Sequence, residues 1–148
     1  MKIKLVCQKE NYEKYKKMLE ISGFEITTDA SLTFKEDDYV QETFIGFMKG
    51  SYEIIHYRNI IFIESFGHEI ILHTSNNKYK IKEKLYEIEI ILHEKGFVRI
   101  NKSTIVNKFG IKELNPTFNS RIILLMKNGS ELVVTRSYNP QFKKYIGL

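Results

Sequence analysis

From Phe44 to the end of the chain, short apolar segments alternate with residues that favour turns. Short strands separated by Gly, Asn and Ser are typical of an all-β sandwich or barrel. Strands are predicted at residues 43–48, 51–56, 60–65, 69–74 and 78–81. The turns between them are predicted at Lys49-Gly50, Arg58-Asn59, Gly67-His68 and Ser75 to Asn77. This pattern constrains the fold most strongly, because strands and turns account for most of the residues after Phe44 and few remain for helices.

One helix interrupts these strands. Apolar residues recur at helical spacing between residues 81 and 95, and Gly96 supplies a stop. Further strands are predicted at 97–100, 103–107, 110–114, 121–127 and 131–135. Asn128-Gly129 joins the last two strands and predicts a type I′ hairpin, in which both central residues take a positive φ.

The first 43 residues follow a different pattern and predict a small βα(β) unit. Residues 2–7 alternate like a strand, Asn11 is a candidate cap for a helix that Gly23 ends, and residues 24–27 resemble a second strand. We therefore divide the chain into this unit, residues 1–43, and a second domain, residues 44–148. The fold class is mainly β, or α+β overall.

The acidic residues of the first unit do not resemble a phosphorylation site. A receiver domain would need an acidic pair after its first strand, where this chain has Gln8 and Lys9. Asp29, Asp37 and Asp38 are interpreted as turn and surface residues. We expect that this unit is not a phosphorylatable receiver.

Charge is unevenly distributed along the chain. Residues 1–43 hold seven lysines and nine acidic residues, which gives a net charge of −2. Because the whole chain carries a net charge of +5, residues 44–148 carry +7. The tail contributes Arg136, Lys143 and Lys144 among aromatic residues, and we interpret it as a basic surface strip. A basic domain favours a polyanionic partner.

Other features exclude several classes of protein. The single cysteine cannot form a disulfide within the chain, and no stretch approaches the roughly 18 apolar residues of a membrane span. The amino terminus has too short an apolar run for a signal peptide. We expect a cytoplasmic protein without direct membrane insertion.

Motifs of common catalytic and metal sites are absent from the sequence. There is no GxGxxG, Walker loop, HExxH or CxxC pattern. The four histidines are scattered and do not show the spacing of metal ligands. We therefore expect neither enzymatic activity nor a cofactor.

A polar island stands between two apolar runs near the middle of the second domain. Asn101, Lys102, Ser103 and Thr104 separate residues 97–100 from Ile105-Val106. Such an island, presented between buried strands, suits contact with phosphate or a base edge. A solvated turn is the alternative interpretation of the same residues.

Several blocks of the second domain together resemble the LytTR family of bacterial DNA-binding domains. The most specific are FVRINKSTIVN at residues 97–107 and NGSELVVTR at 128–136, preceded by YRNIIFIES, EIILHT and KIKEKLYEIEIIL in the same order. The resemblance covers about residues 44–146. It implies an elongated antiparallel β-sandwich that inserts loops, rather than a recognition helix, into successive major grooves of double-stranded DNA.

The resemblance also implies which residues bind DNA. These are His68, the island residues Asn101, Lys102 and Ser103, and the tail residues Thr135, Arg136, Ser137, Tyr138 and Lys143. Arg136 has the fork geometry to bond guanine O6 and N7, and Lys102 can bond guanine or phosphate. Many members have two adjacent arginines where this chain has Arg136-Ser137, so either of these two side chains could face the base edge.

The function implied is sequence-specific transcription regulation that is controlled by something other than receiver phosphorylation. Members that lack a receiver are often controlled by a membrane protein, and members often occupy paired repeats in promoters. Tyr12, Tyr15 and Phe34 are candidate contacts for a homodimer. Two alternatives remain open: a protein-interaction module that heterodimerises with or blocks another regulator, and a small-molecule sensor.

Overall fold

The computed structural model describes residues 1–37 and 39–148, which form two compact units, Met1–Val40 and Gln41–Leu148. Each unit has its own sheet and its own core. Asp38, interpreted above as a turn or surface residue, lies outside the described residues.

The first unit is a parallel sheet with one helix. Strands β1 (Lys2–Val6), β2 (Glu25–Ile26) and β3 (Leu32–Lys35) lie in the order β2-β1-β3, and helix α1 spans Tyr12–Ile21. Both outer strands run parallel to β1. Parallel neighbours need a crossover connection, which α1 supplies between β1 and β2. Ile3, Leu5 and Leu19 form the core.

Three details of this unit differ from the sequence-based expectations. Strand β3 is not predicted, because it directly precedes an acidic run that resembles the end of the unit. Asn11 does not cap α1 with its side chain, and its Nδ2 instead donates to Glu36 Oε1 at 2.8 Å. The rings of Tyr15 and Phe34 are half-buried with centroids 5.2 Å apart, so they are poor candidates for a dimer contact.

The second unit contains a large antiparallel sheet. Its seven strands lie in the order β5-β4-β8-β7-β6-β10-β9. Their bounds are β4 Thr43–Met48, β5 Ser51–His56, β6 Phe62–Phe66, β7 Glu69–His73, β8 Lys78–Ile81, β9 Phe97–Asn101 and β10 Thr104–Asn107.

A smaller sheet and two helices complete this unit. Strands β11 (Ile111–Pro116), β12 (Ile122–Met126) and β13 (Glu131–Val134) form the second sheet, and the helices are α2 (Leu85–Ile91) and α3 (Asn139–Ile146). The strands predicted for this part of the chain are all present, with ends that differ by at most two residues. The predicted mainly β, antiparallel fold class is therefore confirmed.

Strands β6, β9 and β10 lie at the centre of the core. One face of these strands carries Phe62, Val98 and Val106, which pack with residues of the second sheet and with Phe142 of α3. Helix α2 contacts the same three strands and buries Leu85, Ile88 and Ile91. Burial on both faces explains why these strands are nearly continuous apolar runs in the sequence.

The prediction of one helix in this domain is wrong, because the tail forms α3. Pro140 lies in the first turn, where its missing N–H costs nothing, and Gly147 ends the helix with a φ of 81°. Phe142 is fully buried, and half-buried Tyr145 and Ile146 follow at helical spacing. The tail is therefore a docked amphipathic helix rather than a basic surface strip.

One turn also differs from the sequence-based prediction. Among described residues other than glycine, only Lys49 and Ser120 have a positive φ, so Asn128-Gly129 is not a type I′ turn. The Asn128 side chain instead accepts a hydrogen bond from Ser130 N at 3.1 Å.

Helix α2 is shorter than predicted. Glu87 Oε1 accepts a hydrogen bond from Lys84 N at 3.1 Å, which fixes the start of the helix at Leu85.

Candidate nucleic-acid interface

Three turns of the second unit lie next to one another, because main-chain hydrogen bonds join the strand ends that carry them. They are the turn Gly67-His68 after β6, the turn Lys102-Ser103 between β9 and β10, and residues 135–138 after β13. Ser65 N donates to Ser103 O at 2.8 Å, and Thr135 N donates to Ile100 O at 3.0 Å. We call these three segments the turn edge. The structure thus brings together segments that are up to 71 positions apart in the chain.

Asn101 holds two of these segments in place. Its Oδ1 accepts from Ser103 N at 2.9 Å and from Ser103 Oγ at 3.1 Å, and its Nδ2 donates to Val133 O at 3.0 Å. The amide therefore bridges the central turn and β13. Asn101 and the Ser103 hydroxyl are occupied within the protein, so their geometry favours a positioning role.

Arg99 supports the same turn from the side, and the sequence analysis did not single it out. Its guanidinium donates to the carbonyl oxygens of Asn101, at 3.2 Å, and of Lys102, and it forms an ion pair with Glu89 Oε1 at 3.3 Å. Two carbonyls that end a strand are thereby satisfied by one charged side chain. The only signal in the sequence is a charged residue inside an otherwise apolar strand.

His68 and Lys102 share a basic cleft of about 530 Å³. Both side chains are exposed, and Arg99, Lys82 and Lys84 line the same cleft. Glu69 also lines it but is paired with Lys80, with Nζ and Oε1 2.9 Å apart. The uncompensated positive charge of this cleft favours an anionic partner.

The third segment turns from β13 into α3. Thr135 is half-buried, and its carbonyl accepts from Tyr138 N and Asn139 N at 3.0 Å each. Arg136 and Ser137 are exposed at the tip, whereas Tyr138 packs against the core. Among the residues that the structure describes, Arg136 makes no salt bridge. Its guanidinium is therefore available to a ligand.

Lys143 stands apart from the other predicted binding residues. It is exposed on α3 beside the buried Phe142, and among residues 1–37 and 39–148 its side chain forms no salt bridge with the turn edge. The structure therefore groups His68, residues 101–103 and residues 135–138, but does not bring Lys143 into that group.

A buried histidine, His73, lies at the end of β7 that is farther from the turn Gly67-His68. His73 is 6% exposed, its ring stacks on Phe62 with centroids 3.9 Å apart, and its Nε2 is 3.1 Å from Glu64 Oε1. Burial lowers the pKa of His73 below its ordinary value, and the Glu64 carboxylate only partly offsets that effect. The neutral imidazole is therefore the form that the fold favours.

The lowered pKa of His73 predicts a stability that depends on pH. Because the unfolded chain binds this proton more readily, the free energy of unfolding should fall as pH drops below about 6.5, toward the lower folded pKa. Denaturant unfolding at pH 7.5 and pH 5.5 measures this difference. His73→Phe should reduce the difference, and the control His93→Gln, at an exposed site, should leave it unchanged. If both variants showed the same difference in the free energy of unfolding between the two pH values, His73 would not be its source.

The described residues contain neither a cluster of metal-binding side chains nor a helix that could span a membrane. Over residues 1–37 and 39–148, no group of three or more His, Cys, Asp or Glu side chains could hold a metal ion. In the same residues, every helix is too short or too polar to cross a bilayer.

Comparison with known proteins places the second unit among DNA-binding domains. Residues 50–147 match the family described as the LytTr DNA-binding domain. Over 93 residues the chain is 33% identical to the sensory transduction protein LytT of Bacillus subtilis, which covers 63% of this chain and 39% of that protein. Over 91 residues it is 37% identical to the transcriptional regulatory protein LytR of Staphylococcus aureus, with 62% and 37% covered. The chain thus matches less than half of these two relatives.

Two further matches cover more of the compared chains. An uncharacterised HTH-type transcriptional regulator of Staphylococcus aureus is 31% identical over 106 residues, which is 72% of this chain and 71% of that protein. The solved LytTr DNA-binding domain of a Bacillus cereus protein, described as a methyl-accepting/DNA response regulator, gives a TM-score of 0.69 at 24% identity. It covers 73% of this chain and 99% of that chain. This likeness confirms the fold expected from the sequence motifs.

Proposed function

Because the chain belongs to the LytTR family of DNA-binding domains, we propose that it regulates transcription by binding double-stranded promoter DNA in a sequence-specific way. The turn edge is the DNA-binding surface. The observation that carries this proposal is that hydrogen bonds at the ends of β6, β9, β10 and β13 hold three turns, which carry His68, Lys102 and Arg136, side by side on one surface. A duplex presents a continuous row of phosphates and base edges, which suits several adjacent turns.

Loops, rather than a recognition helix, enter the major grooves. Helix α2 is only seven residues long and buries three of them against the sheet. The turns at His68, Lys102 and Arg136 are exposed and are supported by buried strands. They can therefore enter a groove while the core stays packed. Rigid strands beneath short turns also limit the entropy that is lost on binding.

The residues of the turn edge divide into contacts and supports. Arg136 reads guanine O6 and N7, Lys102 bonds guanine or phosphate, and His68 reaches a base or a backbone oxygen. Asn101, Ser103, Thr135 and Tyr138 hold these side chains in position, and Lys143 contributes at most a flanking phosphate contact. Exposed Ser137 is the second candidate for the base edge beside Arg136.

We further propose that DNA binding by this protein is not controlled by phosphorylation of the first unit. Glu36 is engaged with Gln8 N and Asn11 Nδ2, each at 2.8 Å, so it braces the loop after β1. A membrane-protein inhibitor is one candidate source of control. Incubation with a small phosphodonor should add no phosphate to an aspartate, as measured by intact mass.

A homodimer on paired repeats is supported by an apolar strip at the edge of the large sheet. Ile45 and Phe47 of β4 lie opposite Ile54 and Tyr52 of β5, and the latter two are each 74% exposed. Strand β5 is an edge strand, and exposed apolar edges favour association. The same strip would serve the alternative function of a module that heterodimerises with another regulator. Light scattering of the protein with and without an Ile54→Lys substitution distinguishes a dimer from a monomer.

Replacement of Lys102 tests the phosphate and base contacts of the central turn. Lys102→Ala should weaken binding to a fragment selected from genomic DNA. If Lys102 neutralises a phosphate, the slope of log affinity against log salt should also fall by about 0.9. Fluorescence anisotropy between 50 and 300 mM salt measures both quantities. The matched control is Lys127→Ala, an exposed lysine at the other end of the second sheet. Equal effects of the two substitutions would contradict the assignment of the turn edge.

A further inference from the structure

A second cleft lies at the opposite end of the central strands from the turn edge. It measures about 760 Å³, is open to solvent and is lined by residues that flank β9 and β10. Gly96 directly precedes β9 and Asn107 ends β10, whereas the turn edge lies at the other ends of these two strands. At roughly 3.3 Å per residue, the strands separate the two surfaces by on the order of 13 Å. This cleft therefore lies outside the proposed DNA-binding surface.

The floor of this cleft is built by hydrogen bonds and close packing. Asn107 Nδ2 donates to Ile60 O at 3.0 Å, while its Oδ1 accepts from Phe109 N at 3.1 Å. Gly96 has a φ of 99°, and a Cβ there would come within 2.8 Å of the Phe109 ring. Lys108 N donates to Gly96 O at 2.8 Å. The backbone around the cleft is thus arranged before any ligand arrives.

Aromatic rings form the apolar surface of the cleft. Phe109 is 65% exposed although it packs over Gly96. Tyr145 is fixed by a hydrogen bond from its hydroxyl to His93 O and by the His93 ring, with centroids 5.0 Å apart. The Lys108 ammonium lies 5.2 Å from the Phe109 centroid and 5.6 Å from the Tyr145 centroid. A cation therefore stands between two ring faces.

Salt bridges within the described residues do not neutralise the positive charge of the cleft. Arg58, Lys95 and Lys108 line the cleft, and within residues 1–37 and 39–148 none of them forms a salt bridge. Glu94 is the one acidic lining residue, which leaves an excess of two positive charges. Arg58 Nε is directed at His56 Nδ1, 3.3 Å away, so the terminal nitrogens of this guanidinium remain available to a ligand.

We propose that this cleft binds a small planar aromatic anion. Its volume lies within the range of small-molecule sites, which combine apolar walls with a few polar groups. The ring of the ligand would stack beside Phe109 and Tyr145, and its carboxylate, sulfonate or phosphate would pair with Arg58 and Lys108. Bare cationic patches that bind a DNA backbone do not need a concave aromatic wall, so the observations favour a small ligand over duplex DNA at this end.

Titration with 2-naphthoate, followed by amide chemical shifts of the labelled full chain, tests the proposal. We expect saturable shifts centred on Gly96, Lys108 and Phe109. The neutral analogue 2-naphthylmethanol should bind at least ten-fold more weakly, because it cannot pair with the cations. Arg58→Gln combined with Lys108→Gln should also weaken naphthoate at least ten-fold, whereas the control Lys127→Gln should not. The dispersion of the amide spectrum shows whether each variant is folded.

Four results would overturn the proposal. One is the absence of saturable shifts in the cleft, and another is equal affinity for the anion and the neutral analogue. The third is a double variant that still binds naphthoate normally, and the fourth is a double variant that binds DNA as weakly as Lys102→Ala does. That last outcome would assign the cations to the DNA backbone. Retained DNA affinity in the double variant, together with lost naphthoate binding, supports a separate ligand site.

Discussion

Replacement of Arg136 by alanine should cost about 1 to 3 kcal/mol of binding to the preferred DNA site and should relax sequence choice. A guanidinium bonds guanine O6 and N7 in a bidentate way, so its loss removes discrimination at that base pair. Arg136 is exposed at the tip of its turn and has no salt bridge in the described part of the chain. Anisotropy titrations on the selected fragment and on random duplex measure both effects.

Two companion substitutions separate base readout from charge. Arg136→Lys keeps the positive charge but loses the planar fork, so it should retain binding to random DNA and lose preference for the selected site. Lys143→Ala should weaken binding to all sequences alike, because a phosphate contact carries no sequence information. Equal losses on selected and random DNA for Arg136→Ala would exclude this side chain from the base edge and would favour Ser137.

Replacement of Asn101 by alanine should have the largest combined effect on stability and DNA binding. It removes the acceptor of two hydrogen bonds from Ser103 and the donor to Val133 O. At about 0.5 to 1.5 kcal/mol for each of these three bonds, we expect a loss of roughly 1.5 to 4.5 kcal/mol in the free energy of unfolding. Binding should weaken as well, because the central turn loses its link to β13. Denaturant unfolding and anisotropy measure the two losses.

Asn128→Ala is the matched control for Asn101→Ala. Its side chain accepts one hydrogen bond, from Ser130 N, in the hairpin at the other end of β12 and β13. We expect a small loss of stability and unchanged DNA affinity. If Asn101→Ala lowered stability but left DNA affinity unchanged, the central turn would not belong to the DNA-binding surface.

The strands of the second unit could be predicted because their signals are local. Alternating or continuous apolar runs, such as those at Phe44 and Phe97, stop at residues that favour turns, and the structure ends the strands at nearly the same positions. Helix α3 has an equally local signal in Pro140, Phe142 and Gly147. It was missed because the basic residues around Phe142 resemble a solvated strip, while burial of that ring against the second sheet depends on tertiary packing.

The arrangement of the candidate site could be predicted only in part. Sequence motifs identify His68, Lys102 and Arg136 as exposed residues of three separate turns. They do not reveal that Arg99 supports two carbonyls of the central turn, or that the Asn101 amide is occupied by Ser103 and Val133. Those contacts join residues of different strands, and their formation depends on register and side-chain direction.

The most direct test of the central claim is a gel shift of the wild-type protein and of the double variant Lys102→Ala, Arg136→Ala on a fragment selected from genomic DNA. Both substitutions lie at exposed positions, so the far-ultraviolet circular dichroism should be unchanged. We predict that the wild type binds with an affinity that falls steeply as salt rises, and that the double variant loses both binding and sequence preference. Failure of the wild type to bind any promoter fragment, or equal binding by the double variant, would contradict the proposal that the turn edge binds DNA.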